Sequence, residues 1–222
     1  MRTWNGAVPA AHAQFEAKRQ ALLREAASCF TRKGYHGTSL TEIAETLGVS
    51  KAALYTYVKS KDELLYFCHQ AALDVAFDAI TRAQSLQGSG LQKLCTGLEN
   101  YLRAMLSDQT SYVLILEEHA LLPEHARVIV ERRDQFEAAL RGLVVDGMAD
   151  GSMVPCNPKL AIFATLGIVN WVMKWYTAGG PWTGDQIATE MVRYVERMLS
   201  GQPAPLLGIL PMPGEPQPAV SA

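Results

Sequence analysis

From Gln14 to Leu199, apolar residues recur at steps of three and four almost without interruption, and the alternation of a half-buried strand is nearly absent. That period commits the chain to helices packed on helices, so the expected fold class is all-α. A length of 222 residues leaves room for one domain or two small ones. No stretch approaches the roughly 18 uncharged apolar residues a membrane span needs. The first thirteen residues run through Asn, Gly, Pro and His, without the apolar centre of a signal peptide. A cytoplasmic protein with no membrane partner is the expectation. Cys29, Cys68, Cys95 and Cys156 lie far apart with no C-x-x-C pair, which points to reduced thiols rather than a disulfide framework or a zinc site.

Turn chemistry divides the helical pattern. Residues 1–12 read as a loose arm. A first helix is expected from Gln14 to Lys33, burying Leu22, Leu23, Ala26, Cys29 and Phe30 and stopped by Gly34. Ser39 and Glu42 stand in capping-box spacing at the head of a second helix, whose stripe is Leu40, Ile43, Ala44 and Leu47. Gly48 breaks the chain, and Ser50 can cap a third helix reaching Tyr57. Ser60 and Glu63 repeat the box and launch a fourth helix to about Ala83. Ser85–Gly90 is a flexible seam. Further helices are expected over 91–107, 110–121, 123–151, 158–178 and 184–199. Residues 201–222 hold six of the eleven prolines, a density that excludes a helix and reads as a disordered tail. The domain boundaries expected are therefore an arm over 1–12, a small helical module over 13–59, a helical body over 60–200 and the tail over 201–222.

The second and third helices raise the functional question. The third, "SKAALYTYV", offers a core only Leu54, Val58 and its tyrosines, and lysines follow at 59 and 61. Two short helices joined by a glycine turn have the arithmetic of a helix-turn-helix, whose second helix enters the DNA major groove. Its outward chemistry fits that use. Ser50 and Thr56 can donate hydrogen bonds, and Lys51 and Lys61 can neutralise phosphate. Tyr55 and Tyr57 add phenolic donors, and Ala52 and Ala53 let the backbone approach the bases. Charge agrees in sign: residues 1–65 carry nine Lys and Arg against six Asp and Glu, while the rest of the chain is net acidic. A surface hairpin of a helical bundle has the same spacing.

The stretch "EAASCFTRKGYHGTSLTEIAETLGVSKAALYTYVKSKDELL" resembles the N-terminal DNA-binding domain of the tetracycline-repressor (TetR) family of bacterial regulators. The pieces that carry the resemblance are "F...GY.GTS", "IAE.LGVS", "ALY.Y" and "K.KDEL", in order and at the family's spacing. The resemblance implies a homodimer of all-helical subunits, each with a small DNA-binding domain and a larger ligand-binding and dimerisation domain. It implies DNA contacts from Ser50, Lys51, Ala52, Ala53, Tyr55, Thr56 and Tyr57, with Thr38 and Lys61 reaching the backbone; Ser39, beside Thr38, is placed with them. Repression rather than activation also follows only from the resemblance. Two positions depart from the family's pattern. Ala52 stands where glycine or proline is frequent, and Val58 where phenylalanine is, so the core under the third helix must be filled differently.

In the body, "LGIVNWVMKWYTAGG" sets Trp171 and Trp175 one turn apart. Together with Met191, Tyr194, Val195 and Met198 of the last helix they form the candidate dimer face, since aromatic residues and Met are enriched at such interfaces; filling of the monomer core is the other reading. Helical spacing nominates Leu98, Tyr101, Leu102, Met105, Leu114, Phe136, Leu140, Phe163 and Asn170 as walls of a pocket for a small hydrophobic effector, although residues of this kind are more often plain core. The body is loosely similar to family members that respond to acyl-coenzyme A thioesters. "EEHALLPEHARVIVERR" gathers His119, His125, Arg127, Arg132 and Arg133. It lacks the H-x-x-x-H spacing of a helical metal site, so no metal is expected, while its arginines could take a phosphate-bearing ligand. No G-x-S-x-G, phosphate loop or clustered nucleophile and histidine appears, so neither a catalytic residue nor a cofactor is expected. A helical-bundle enzyme is the remote alternative, and a constitutive DNA-binding regulator whose body only dimerises is the nearer one.

Overall fold

The computed structural model describes residues 8–107 and 118–202. Among these the chain forms eight α-helices: α1 (Val8–Gly37), α2 (Leu40–Thr46), α3 (Lys51–Leu54), α4 (Lys61–Gln84), α5 (Gly90–Leu106), α6 (Pro123–Ala149), α7 (Pro158–Trp175) and α8 (Gly184–Leu199). A single 3-10 turn, Glu118–Ala120, precedes α6. The described residues contain no strand, only an isolated bridge between Met153 and Ser200. Helix α1 begins at Val8 rather than Gln14, so part of the expected arm is helical. Its first turn carries Pro9, tolerated there, and alanines of high helix propensity. The rest of the arm, most of the helix expected over 110–121 and nearly all of the tail lie outside the described residues.

The chain divides into two compact units, Met1–Val75 with Gln109–Asp134 and Ala76–Asp108 with Gln135–Ala222. In the first, α1 buries Leu22, Leu23, Ala26 and Phe30, α2 buries Ile43 and Ala44, and α4 buries Leu64 and Leu65. Each large side chain removed from water contributes about 1.5–3 kcal/mol, and together they form the platform on which α3 sits. Helix α1 is interrupted at Gly34 (φ 71), where the sequence places its end.

In the second unit α5 packs along α8. Arg103 of α5 bonds Glu99 on its own helix at 2.8 Å and Thr189 of α8 at 3.0 Å, and it also pairs with Asp185. Both helices open with complete capping boxes, Ser89 with Gln92 and Thr183 with Gln186. Gly90 allows α5 to meet α6 backbone to backbone: a Cβ there would lie 2.2 Å from the Gly147 nitrogen. The interior is apolar, from Leu94, Leu98 and Leu102 of α5 to Leu140 and Val144 of α6, Ile162 and Val169 of α7, and Val195 of α8.

Candidate nucleic-acid interface

The turn between α2 and α3 is fixed by backbone hydrogen bonds. Val49 N–H donates to Ala44 O and Gly48 N–H to Glu45 O, both at 3.0 Å, which closes α2 with a Schellman-type cap. Gly48 holds φ 66, a left-handed conformation that costs other residues about 1–2 kcal/mol. Ser50 then caps α3, its hydroxyl accepting from Ala53 N–H at 3.2 Å. The regular helix ends at Leu54, earlier than the Tyr57 expected, and the chain goes on in tight turns: Tyr57 N–H donates to Leu54 O at 2.9 Å and Val58 N–H to the same oxygen at 3.1 Å. Leu54 and Val58 are buried, so this segment is pinned from below and keeps one face outward.

That face carries Ser50, Lys51, Ala52, Tyr55 and Thr56, all exposed, with Ala53 half-buried behind them. Among the described residues no ion pair engages Lys51 or Lys59. Ser39 is exposed at the head of α2, its hydroxyl accepting from Glu42 N–H at 3.1 Å. The reciprocal half of that capping box is missing, because the Glu42 carboxylate pairs with Lys33 instead. The Thr56 hydroxyl donates to Ala53 O at 2.7 Å, which leaves it an acceptor rather than a donor toward a partner.

Three residues expected on the DNA face make contacts within the fold. Thr38 is 2% exposed, its hydroxyl donating to Gly34 O at 2.9 Å, so it closes the end of α1. Lys61 donates from Nζ to Tyr35 O at 2.8 Å and Thr38 O at 2.9 Å, and lies 4.2 Å from the centre of the Tyr35 ring. Two of its three ammonium donors thus hold the α1–α2 turn. The Tyr57 ring stacks on Phe15 of α1 at 4.8 Å, an aromatic cover beside the small Val58. Lys59, noted with Lys61 after the third helix but not placed among the DNA contacts, is exposed just beyond α3.

The other nominated residues separate by burial. Leu98, Tyr101, Leu102, Met105, Phe136 and Leu140 are buried in the second unit, and the Tyr101 hydroxyl donates to Asn170 Oδ1 at 3.1 Å. Phe163 is not with them: it lies on the outer side of α7, 52% exposed, with the Lys159 ammonium 5.6 Å from its ring. Leu114 lies outside the described residues. Trp171 is 65% exposed, and Trp175, Tyr194 and Met198 are also on the surface, with Met191 half-buried. Val195 is fully buried in the core of its own unit, since it falls about 100° round α8 from the exposed Tyr194 and on the inner edge of the Met198 side. Arg132 is not free for an anion; it pairs with Asp74 at 2.7 Å and bonds Gln70.

A short capped helix, seated on its predecessor through a glycine turn and showing serine, lysine, alanine and tyrosine to solvent, defines a helix-turn-helix DNA-binding protein. Residues 22–66 match the family model described as bacterial regulatory proteins, tetR family, and residues 87–199 match that of the tetracyclin repressor-like C-terminal domain. The chain belongs to the TetR family of transcriptional regulators. It is 26% identical over 192 residues to the HTH-type transcriptional repressor KstR2 of Mycolicibacterium smegmatis, covering 84% of this chain and 93% of that protein. The crystal structure of the TetR family regulator PfmR from Thermus thermophilus superposes with a TM-score of 0.72 at 30% identity, covering 79% of this chain and 97% of that one. AibR in complex with isovaleryl coenzyme A and operator DNA gives a TM-score of 0.68 at 27% identity, covering 79% and 96%.

Proposed function

We propose that this regulator is a repressor that binds a palindromic operator as a homodimer and is released by a small hydrophobic effector, with acyl-coenzyme A thioesters the leading class. The observation that carries the DNA half is the outward face of α3, where Lys51 and Tyr55 stand exposed above the buried anchors Leu54 and Val58. Residues 13–59 bind DNA and residues 60–200 bind effector and partner. The exposed stripe of Trp171 and Trp175 on α7, with Tyr194 and Met198 on α8, supports a two-fold four-helix interface between copies. Two recognition helices about one DNA turn apart, roughly 34 Å, then match successive major-groove faces.

The apolar interior around Tyr101 and Asn170 supports a hydrophobic effector, and the similarity to AibR, captured with isovaleryl coenzyme A and operator DNA, supports the thioester class. Effector binding shifts the dimer toward a conformation with the wrong helix spacing, through α4, and only to the extent of its differential affinity for the two conformations. The test is a thermal-shift panel of short, branched and long acyl-coenzyme A thioesters with free coenzyme A as control, repeated as operator competition. One acyl class raises the melting temperature and lowers operator affinity. Intact operator binding with no response to any thioester contradicts this effector class; no response to a wider metabolite panel either leaves a constitutive regulator.

A further inference from the structure

Lys61 and Asp62 are neighbours at the start of α4, and they hold two different parts of the first unit. Lys61 grips the α1–α2 turn through the carbonyls of Tyr35 and Thr38. Asp62, only 8% exposed, accepts at Oδ1 from Leu122 N–H at 2.7 Å, and its Oδ2 faces His125 Nδ1 at 2.5 Å. Leu122 immediately precedes α6, whose first N–H groups lack helical partners; a carboxylate there satisfies one of them and meets the positive end of the helix dipole. His125 is held from its other side by the Tyr66 ring, stacked at 4.3 Å and 13°. The Tyr66 hydroxyl accepts from Gln70, and Gln70 and Asp74 hold Arg132. One face of α4, from Asp62 to Asp74, is thus bonded to α6 from its first residues to Arg132. That bonded face ends one residue from the lysine that grips the DNA-binding module.

We infer that Asp62 and His125 are a positioning pair for operator recognition: the start of α6 fixes the first turn of α4, and Lys61 passes that pose to the α1–α2 turn and so to α2 and α3. The pair acts through Lys61 and rests on the operator reading above. A buried carboxylate stripped of its histidine retains only the Leu122 bond, so the first turn of α4 loosens where it supports Lys61.

Two readouts on the full chain test it. His125→Leu removes the donor, while His125→Asn keeps a nitrogen donor near the position of Nδ1. The first readout needs no DNA: amide hydrogen exchange across 35–43, where Thr38 N–H is bonded to Tyr35 O and Ile43 N–H to Ser39 O. Exchange there is expected to quicken roughly tenfold in His125→Leu and to stay within about twofold of wild type in His125→Asn. The second is affinity for a duplex selected by the wild-type chain from a randomised library. His125→Leu and Lys61→Met each weaken binding roughly tenfold, and the double variant is no weaker than about tenfold, where independent effects would multiply to about a hundredfold. Unchanged exchange in His125→Leu, multiplying effects, or an Asn variant as impaired as the Leu variant overturns the inference. If His125→Leu does not fold, Asp62→Asn keeps an acceptor for Leu122, alters the side facing His125, and takes the same readouts with the same expectation. A wild-type chain that selects no duplex contradicts the operator reading, and the exchange readout then decides the pair alone.

Discussion

Helices α3 and α7 both turn an unburied face to solvent, and the two faces differ in kind. On α3 it is Ser50, Lys51, Ala52 and Tyr55, side chains that water satisfies at little cost; on α7 it is Leu160, Phe163, Trp171 and Trp175. Apolar surface left in water forgoes about 25 cal/mol per Å², so the α7 face gains from burial against a partner, whereas the α3 face gains only from a partner with matching hydrogen bonds and charge. Their supports differ too. The regular part of α3 is four residues long, too short to stand alone, and it depends on the Gly48 turn, the Ser50 cap and two buried side chains. Helix α7 has eighteen residues and an Asn157 cap, and it lies against α8 in its own unit. Position is what the first helix must be given, and burial is what the outer face of the second would gain from a partner.

The largest expected effect is on the α7 face. Trp171→Glu with Trp175→Glu puts charge into the proposed dimer face, and self-association measured by sedimentation is expected to weaken more than about a hundredfold. An unchanged association constant would remove α7 from the interface. Next is the support of α3: Leu54→Ala should lower unfolding free energy by about 2–4 kcal/mol in denaturant titration and abolish specific DNA binding. A loss of stability under about 0.5 kcal/mol, typical of a surface site, would mean that α3 is not held from below. The outward face itself is sharpened by contrasting two lysines. Lys51→Ala should flatten the salt dependence of DNA binding by about one unit of slope. Lys61→Met should weaken binding while leaving the slope unchanged, because its ammonium holds carbonyls rather than phosphate. Equal slope changes for the two would erase that distinction.

The smallest effect belongs to the α5–α8 contact. Burial pushes the Glu99 carboxyl up, but hydrogen bonds from Arg103 and Thr189 outweigh it and hold the group below the usual carboxylate range. A carboxylate depressed in the folded state contributes stability above its unfolded pKa and loses it as pH falls through the folded value. Wild type should therefore lose more stability than Glu99→Gln in acid, by less than about 1 kcal/mol for so accessible a pair. Parallel acid curves would show that the pair contributes nothing.

What the sequence disclosed follows the range of the interactions. The Ser39, Ser50 and Ser60 hydroxyls accept from N–H groups three residues on, and all three cap positions were readable from spacing. The helical stripes, Leu54 and Val58 among them, were readable for the same reason. The roles of Thr38, Tyr57 and Lys61 were not. Each resembles a DNA contact in sequence, and each is claimed by a partner elsewhere: Gly34 O, the Phe15 ring, and the carbonyls of Tyr35 and Thr38. Asp62 meets His125 across 63 residues of chain, a pairing no local pattern announces. Val195 was misassigned because aromatic and Met residues beside it on α8 face out while it faces in.

The most direct measurement is selection of DNA by the wild-type chain from a randomised duplex library, followed by sequencing. Enrichment of a palindrome whose half-sites are centred about one helical turn apart, roughly 34 Å, is the expected result. Enrichment of single unpaired sites, or no enrichment above the input library, would contradict a dimer that reads DNA with α3.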